Sequence, residues 1–104
     1  NLSSEIFMLE QLEKIATSLE RRLKKQNIAG KTVTLKIKFS DFSQQTRSKT
    51  VPYFIADKGL ILENVKELLY QERMKDSVRL LGISLSNLNT EQKKTVVVQL
   101  QFAF

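Results

Sequence analysis

Neither histidine nor cysteine occurs anywhere in the 104 residues. The imidazole and thiolate groups that most often act as general base, nucleophile or zinc ligand are therefore missing, and no disulfide framework can form. Glycine is confined to Gly30, Gly59 and Gly82, which leaves no loop able to cradle a phosphate. The carboxylates are scattered, with Asp41 in a turn, Asp57 at a helix start, Asp76 in a linker and the glutamates on helix surfaces. Metal-assisted phosphoryl transfer needs carboxylates that converge, and no two here share an evident face beside a pocket. No apolar run approaches the roughly 20 residues that span a bilayer, and no leader pattern opens the chain. These absences describe a single non-catalytic domain with no cofactor of its own, no membrane partner and a cytoplasmic setting.

Positive charge is what the chain has in excess: 17 Lys and Arg stand against 11 Asp and Glu, a net +6. Such a balance asks for an anionic partner without naming one. The first element reads as a long helix capped at Ser3 or Ser4. Ile6, Leu9, Leu12, Ala16, Leu19 and Leu23, with Ile15 beside them, recur at helical spacing as one apolar stripe. A basic last turn (Arg21, Arg22, Lys24, Lys25) complements the helix dipole, and Asn27 to Gly30 supply the stop.

From Thr32 to Ser40 the pattern changes to strict alternation. Val33, Leu35, Ile37 and Phe39 fall on one side, and Thr34, Lys36, Lys38 and Ser40 on the other, which is the period of a half-buried strand. A second strand, Gln44 to Val51, carries Thr46, Arg47, Ser48, Lys49 and Thr50 and ends at Pro52. With no Asn-Gly or Asp-Gly between them, the two strands need a bulge or a longer connection. A helix from Asp57 or Lys58 buries Leu60, Ile61, Val65, Leu68 and Leu69. After the linker 71–77, a third strand (residues 78–87) alternates Leu81, Ile83 and Leu85 with Gly82, Ser84 and Ser86. The order helix, strand, strand, helix, strand predicts an α+β fold: an antiparallel sheet with two helices on one face, like a split βαβ unit without its first strand.

Lys36, Lys38, Arg47 and Lys49, mixed with Thr46, Ser48, Ser84 and Ser86, suit a phosphate backbone. The cations attract, while the hydroxyls and strand amides donate to phosphate oxygens. Gly82 and the serines let that backbone approach closely. No aromatic ring interleaves with these positions, since Phe39 points the other way and Phe42 sits in the turn. The surface therefore fits a duplex held without sequence reading, not stacked single-stranded bases. The tail KTVVVQLQFAF is either a further strand, with Val96, Val98, Leu100 and Phe102 alternating, or an extended docking peptide in which Gln99, Leu100, Phe102 and Phe104 engage apolar pockets. Two rival readings are an RNA-binding or ribosomal α+β domain and a protein-interaction module working through its tail.

AGKTVTLKIKFSDFSQQTRSKTVP (residues 29–52), followed after a helix by VRLLGISLSNL (residues 78–88), resembles the C-terminal little-finger domain of Y-family translesion DNA polymerases, the bacterial polymerase IV branch above all. The likeness runs from about Leu12 to Leu88 and implies a DNA-binding domain over residues 1–88, with residues 89–104 as linker and tail. It implies further that Thr46, Arg47, Ser48 and Lys49 lie on a phosphate-gripping strand, and that Arg79, Gly82 and Ser84 lie on its partner. Duplex template–primer DNA is the implied partner. The terminal QLQFAF is similar to the peptide by which such polymerases dock on the β sliding clamp, although it departs from the commonest Leu-Phe ending. The resemblance places catalysis, and the magnesium it uses, in a parent polymerase outside this fragment. It also places a first strand upstream of Asn1, so the sheet is expected to carry an edge that the tail, from the same or a neighbouring chain, fills by strand exchange.

Overall fold

The computed structural model describes residues 5–70, 78–90 and 95–101. Helix α1 runs over Glu5–Gln26, followed by strand β1 (Gly30–Phe39), strand β2 (Gln44–Ile55), helix α2 (Lys58–Leu69), strand β3 (Val78–Leu88) and strand β4 (Thr95–Gln101). The strands form one antiparallel sheet in the order β2-β1-β3-β4. One face is covered by the two helices, α1 over β3 and β4 and α2 over β1 and β2. The α+β layer read from the hydrophobic periods is the layer that forms.

The expected helix caps Ser3 and Ser4 lie outside the described residues. Helix α1 stops where Asn27 takes a positive φ of 56°. Ile28 N–H donates to Leu23 O (2.9 Å) and Asn27 N–H to Lys24 O (3.2 Å), so the end is a Schellman motif with Ile28 packed back into the core. Helix α2 opens on Asp57, whose carboxylate accepts from Leu60 N–H at 3.2 Å. Glu20 of α1 accepts from the Lys58 backbone N–H at 2.7 Å, fixing the start of α2 against the first helix.

Between helices and sheet, Leu12, Ile15, Ala16, Leu19 and Leu23 of α1 and Ile61, Val65, Leu68 and Leu69 of α2 meet Val33, Leu35, Ile37, Leu81, Ile83 and Leu85. Each such side chain, fully buried, contributes about 1.5–3 kcal/mol. Ile6 departs from the expected stripe: it is 72 % exposed, and Met8 is the buried residue of that first turn. Leu60 is only partly buried. Gly30 already belongs to β1, and nothing larger fits there. A Cβ would come within 2.7 Å of both Leu85 Cγ and Ser86 O.

Pro52 does not end β2, which continues to Ile55. The register passes from Thr32↔Thr50 to Gly30↔Ile55, so residues 51–54 form a bulge where β2 is the sheet edge, with Val51 buried and Pro52, Tyr53 and Phe54 exposed. An edge bulge is where a residue without an N–H is tolerated. On the opposite side of the sheet, the tail residues Thr95–Gln101 pair along β3 as β4, with Val96 buried in the core cluster. Arg22 ties this strand to α1 by donating to Val97 O at 3.0 Å.

Candidate nucleic-acid interface

Antiparallel register puts directly opposed residues on one face, so the uncovered side of the sheet can be read row by row. Thr50, Thr32 and Ser86 make one row, Ser48, Thr34, Ser84 and Val97 the next, Thr46, Lys36 and Gly82 a third, and Gln44, Lys38 and Leu80 the fourth. The hydroxyls are paired across the strands: Thr32 with Thr50 at 2.9 Å and Thr34 with Ser48 at 3.0 Å. Asn87, in the left-handed region at φ 52°, donates to Thr32 Oγ1 at 2.6 Å. This pairing fixes where the Thr32, Thr50, Thr34 and Ser48 hydroxyls point.

Among the described residues this face carries no carboxylate. Apart from Asp41 in the β1–β2 turn, the described Asp and Glu lie on α1, on α2 or at the α2 cap. Lys36 and Lys38 therefore stand among hydroxyls, amides and Gly82, with no carboxylate on that face among the described residues. Their field is the electrostatic character of the face.

Arg47 and Lys49 are elsewhere, which corrects their expected place among the open-face cations. Arg47 stands opposite Leu35 and Lys49 opposite Val33, so both share the side that the helices cover. Arg47 is only 8 % exposed. Its guanidinium donates to Leu68 O (2.8 Å) and Leu69 O (3.0 Å) at the end of α2, and to Gln45 Oε1 (2.7 Å). A cation at a helix C-terminus satisfies carbonyls that have no intrahelical partner and complements the dipole. Lys49 pairs with Glu67 on the rim of α2. Strand β2 has almost no apolar residue to mark its inner side, but Val51 shares parity with Arg47 and Lys49 and is buried. That parity was the available signal.

Arg79 is brought to the uncovered side by a different route. The register passes from Lys38↔Leu80 to Phe39↔Val78, so Arg79 is the extra residue of a bulge in β3. Its guanidinium lies 4.6 Å from the centre of the Phe42 ring, and Lys38 Nζ lies 5.9 Å from the same ring. Periodicity passed over Phe42 because it falls in the connection between strands. The expectation that no aromatic ring meets the cations is corrected here. At the other end of the sheet Lys31 stands 4.8 Å from the Phe54 ring, and Tyr53 and Phe54 are both about half exposed in the β2 bulge.

Of the tail residues expected to dock, Gln99 stands opposite Gly82 and Leu100 opposite Leu81 in β4, while Phe102 and Phe104 lie outside the described residues. No group of three or more His, Cys, Asp or Glu side chains converges among the described residues. No helix among them is long and apolar enough to cross a membrane.

Residues 1–102 match the family model of the impB/mucB/samB family C-terminal domain. The chain is 47 % identical over 94 residues to a DNA polymerase IV of Leptospira interrogans, covering 83 % of this chain and 26 % of that protein. It is 48 % identical over 82 residues to one of Clostridium perfringens (78 % and 23 % covered) and 41 % identical over 97 residues to one of Bacteroides fragilis (90 % and 27 %). The chain thus spans about a quarter of the length of these relatives.

Proposed function

Because the chain belongs to the impB/mucB/samB family of C-terminal domains, we propose that its uncovered sheet face holds the phosphate backbone of a template–primer duplex for a Y-family translesion DNA polymerase. The observation that carries this reading is the face itself, with Lys36 and Lys38 among rows of hydroxyls and, of the described carboxylates, none on that face. Lys36, Lys38 and Arg79 supply salt-sensitive attraction. Thr46, Ser48 and Ser84 supply short hydrogen-bonding groups, and Gly82 keeps the middle of the sheet low enough for a backbone to approach. Contacts of this kind carry no sequence information, which suits a domain that must follow any template.

Polymerisation, and the magnesium it uses, belongs in this reading to the remaining length of such a protein, in the cytoplasm. Tethering to a catalytic part raises the local concentration of DNA at the sheet, so weak intrinsic affinity is enough. In the same reading residues 1–88 grip DNA, and 89–104 form a segment whose terminal Gln99, Leu100, Phe102 and Phe104 dock on the β sliding clamp. Docking that uses Gln99 and Leu100 must first detach the end of β4 from β3. Deleting residues 99–104 should abolish clamp binding and spare DNA binding. The β4–β3 pairing made between two copies would give a strand-exchanged dimer, read by sedimentation at rising concentration.

Fluorescence anisotropy of a labelled duplex at several salt concentrations tests the central claim. The Lys36→Ala/Lys38→Ala variant should bind every sequence more weakly and lower the magnitude of the log–log salt slope by about 2, since each neutralised phosphate contributes ~0.9. A variant that binds like the parent would overturn the assignment.

A further inference from the structure

The β1–β2 turn presents Phe42 in a way the fold does not need. Three non-glycine residues among those described have positive φ: Asn27, Asn87 and Phe42, the last at 69°. Asparagine tolerates that region, and glycine takes it freely, but a bulky aromatic is disfavoured there. The turn is closed by backbone and Asp41 alone. Phe39 N–H donates to Ser43 O (2.8 Å), Phe42 N–H to Phe39 O (3.0 Å), and Asp41 Oδ1 accepts from Ser43 N–H (3.0 Å). None of these bonds uses the ring, which takes no part in the core and is 66 % exposed.

The ring is nevertheless not idle. Arg79, delivered by the β3 bulge, and Lys38, from the open face, both approach it. The result is a largely exposed aromatic ring with a guanidinium and an ammonium over it, at the rim of the proposed phosphate-binding face. A base inside a duplex has both faces covered by its neighbours, so a ring at that rim stacks where a base face is left open, as along a single-stranded extension.

We propose that Phe42 stacks on an unpaired nucleobase of a single-stranded extension beside the duplex, with Arg79 and Lys38 neutralising the adjoining phosphates. The inference rests on the duplex reading given above and adds a second nucleic-acid subsite to it. Stacking recognises every base, so the subsite extends the grip past the double-stranded region without adding sequence preference.

Two duplexes of equal length test this at low salt, one blunt and one with a 5′ single-stranded extension carrying 2-aminopurine next to the junction. The parent should bind the extended duplex more tightly and change the 2-aminopurine emission. Phe42→Gly, which keeps the backbone conformation, should lose about tenfold in affinity for the extended duplex, leave the blunt duplex unchanged and leave the emission unperturbed. Phe42→Tyr should restore both signals. Equal losses on the two duplexes would mean that the ring only orients Arg79, and would overturn the proposal. So would a parent that binds both alike. Failure of the duplex reading shows separately, as blunt-duplex binding that is absent or indifferent to Lys36→Ala/Lys38→Ala. Urea unfolding of Phe42→Gly should show undiminished stability, so that any lost affinity belongs to the missing ring.

Discussion

Strands β1 and β2 lie side by side in the sheet, and each contributes a pair of cations two residues apart. Lys36 and Lys38 of β1 alternate with Val33, Leu35, Ile37 and Phe39, so the core takes the apolar side chains and the lysines are left on the uncovered face. Arg47 and Lys49 of β2 alternate with Thr46, Ser48 and Thr50, and it is the hydroxyls that face out while the cations turn toward α2. Charge alone therefore does not tell a ligand-binding cation from a structural one. The partners do: Arg47 is committed to the open carbonyls of a helix end, and Lys49 to a glutamate on that helix. Lys36 and Lys38 have no anion beside them on their own face among the described residues.

The difference between the two strands is tested most severely at Arg47. Arg47→Ala should destabilise the domain by roughly 2–4 kcal/mol, because it removes charge-assisted hydrogen bonds and leaves two carbonyls buried at the end of α2. Urea denaturation reads this. The protein that remains folded should keep the parent's salt slope for DNA. A steeper loss in DNA binding than in stability would return Arg47 to the interface.

Ser48→Glu sharpens the other side. It places a carboxylate on the open face along the edge strand β2, beside Thr34 of β1 and without touching the core, and should weaken duplex binding about tenfold while changing stability by no more than ~0.5 kcal/mol. Anisotropy titration and thermal unfolding on the same sample separate the two effects. Lys49→Ala is the smallest perturbation. It removes an exposed pair with Glu67, a kind of contact worth about 0–1 kcal/mol, and duplex affinity should stay close to the parent's. A loss equal to that of Lys36→Ala would show that phosphate contacts reach around the β2 edge.

The layer, the two helices and the inner side of β1 and β3 were legible in the order of residues because they rest on period. Apolar side chains recurring every two or every three to four positions have one way to leave water together, and that preference acts wherever the neighbours lie. The Asn27 stop and the Asp57 start were equally local. Strand β2 was not legible in this way. With Val51 as its single apolar marker before Pro52, its inner side is chosen by what α2 offers, two open carbonyls that a guanidinium can reach, and not by hydrophobicity. The meeting of Phe42 with Arg79, which depends on a bulge in a strand 36 residues later, and the pairing of Thr95–Gln101 along β3 likewise belong to the tertiary structure. The order of residues settled which apolar stripes leave water together. Only the folded sheet, by bringing distant polar groups within hydrogen-bonding reach, decided which of the remaining charges are spent inside the protein and which stay available to a phosphate.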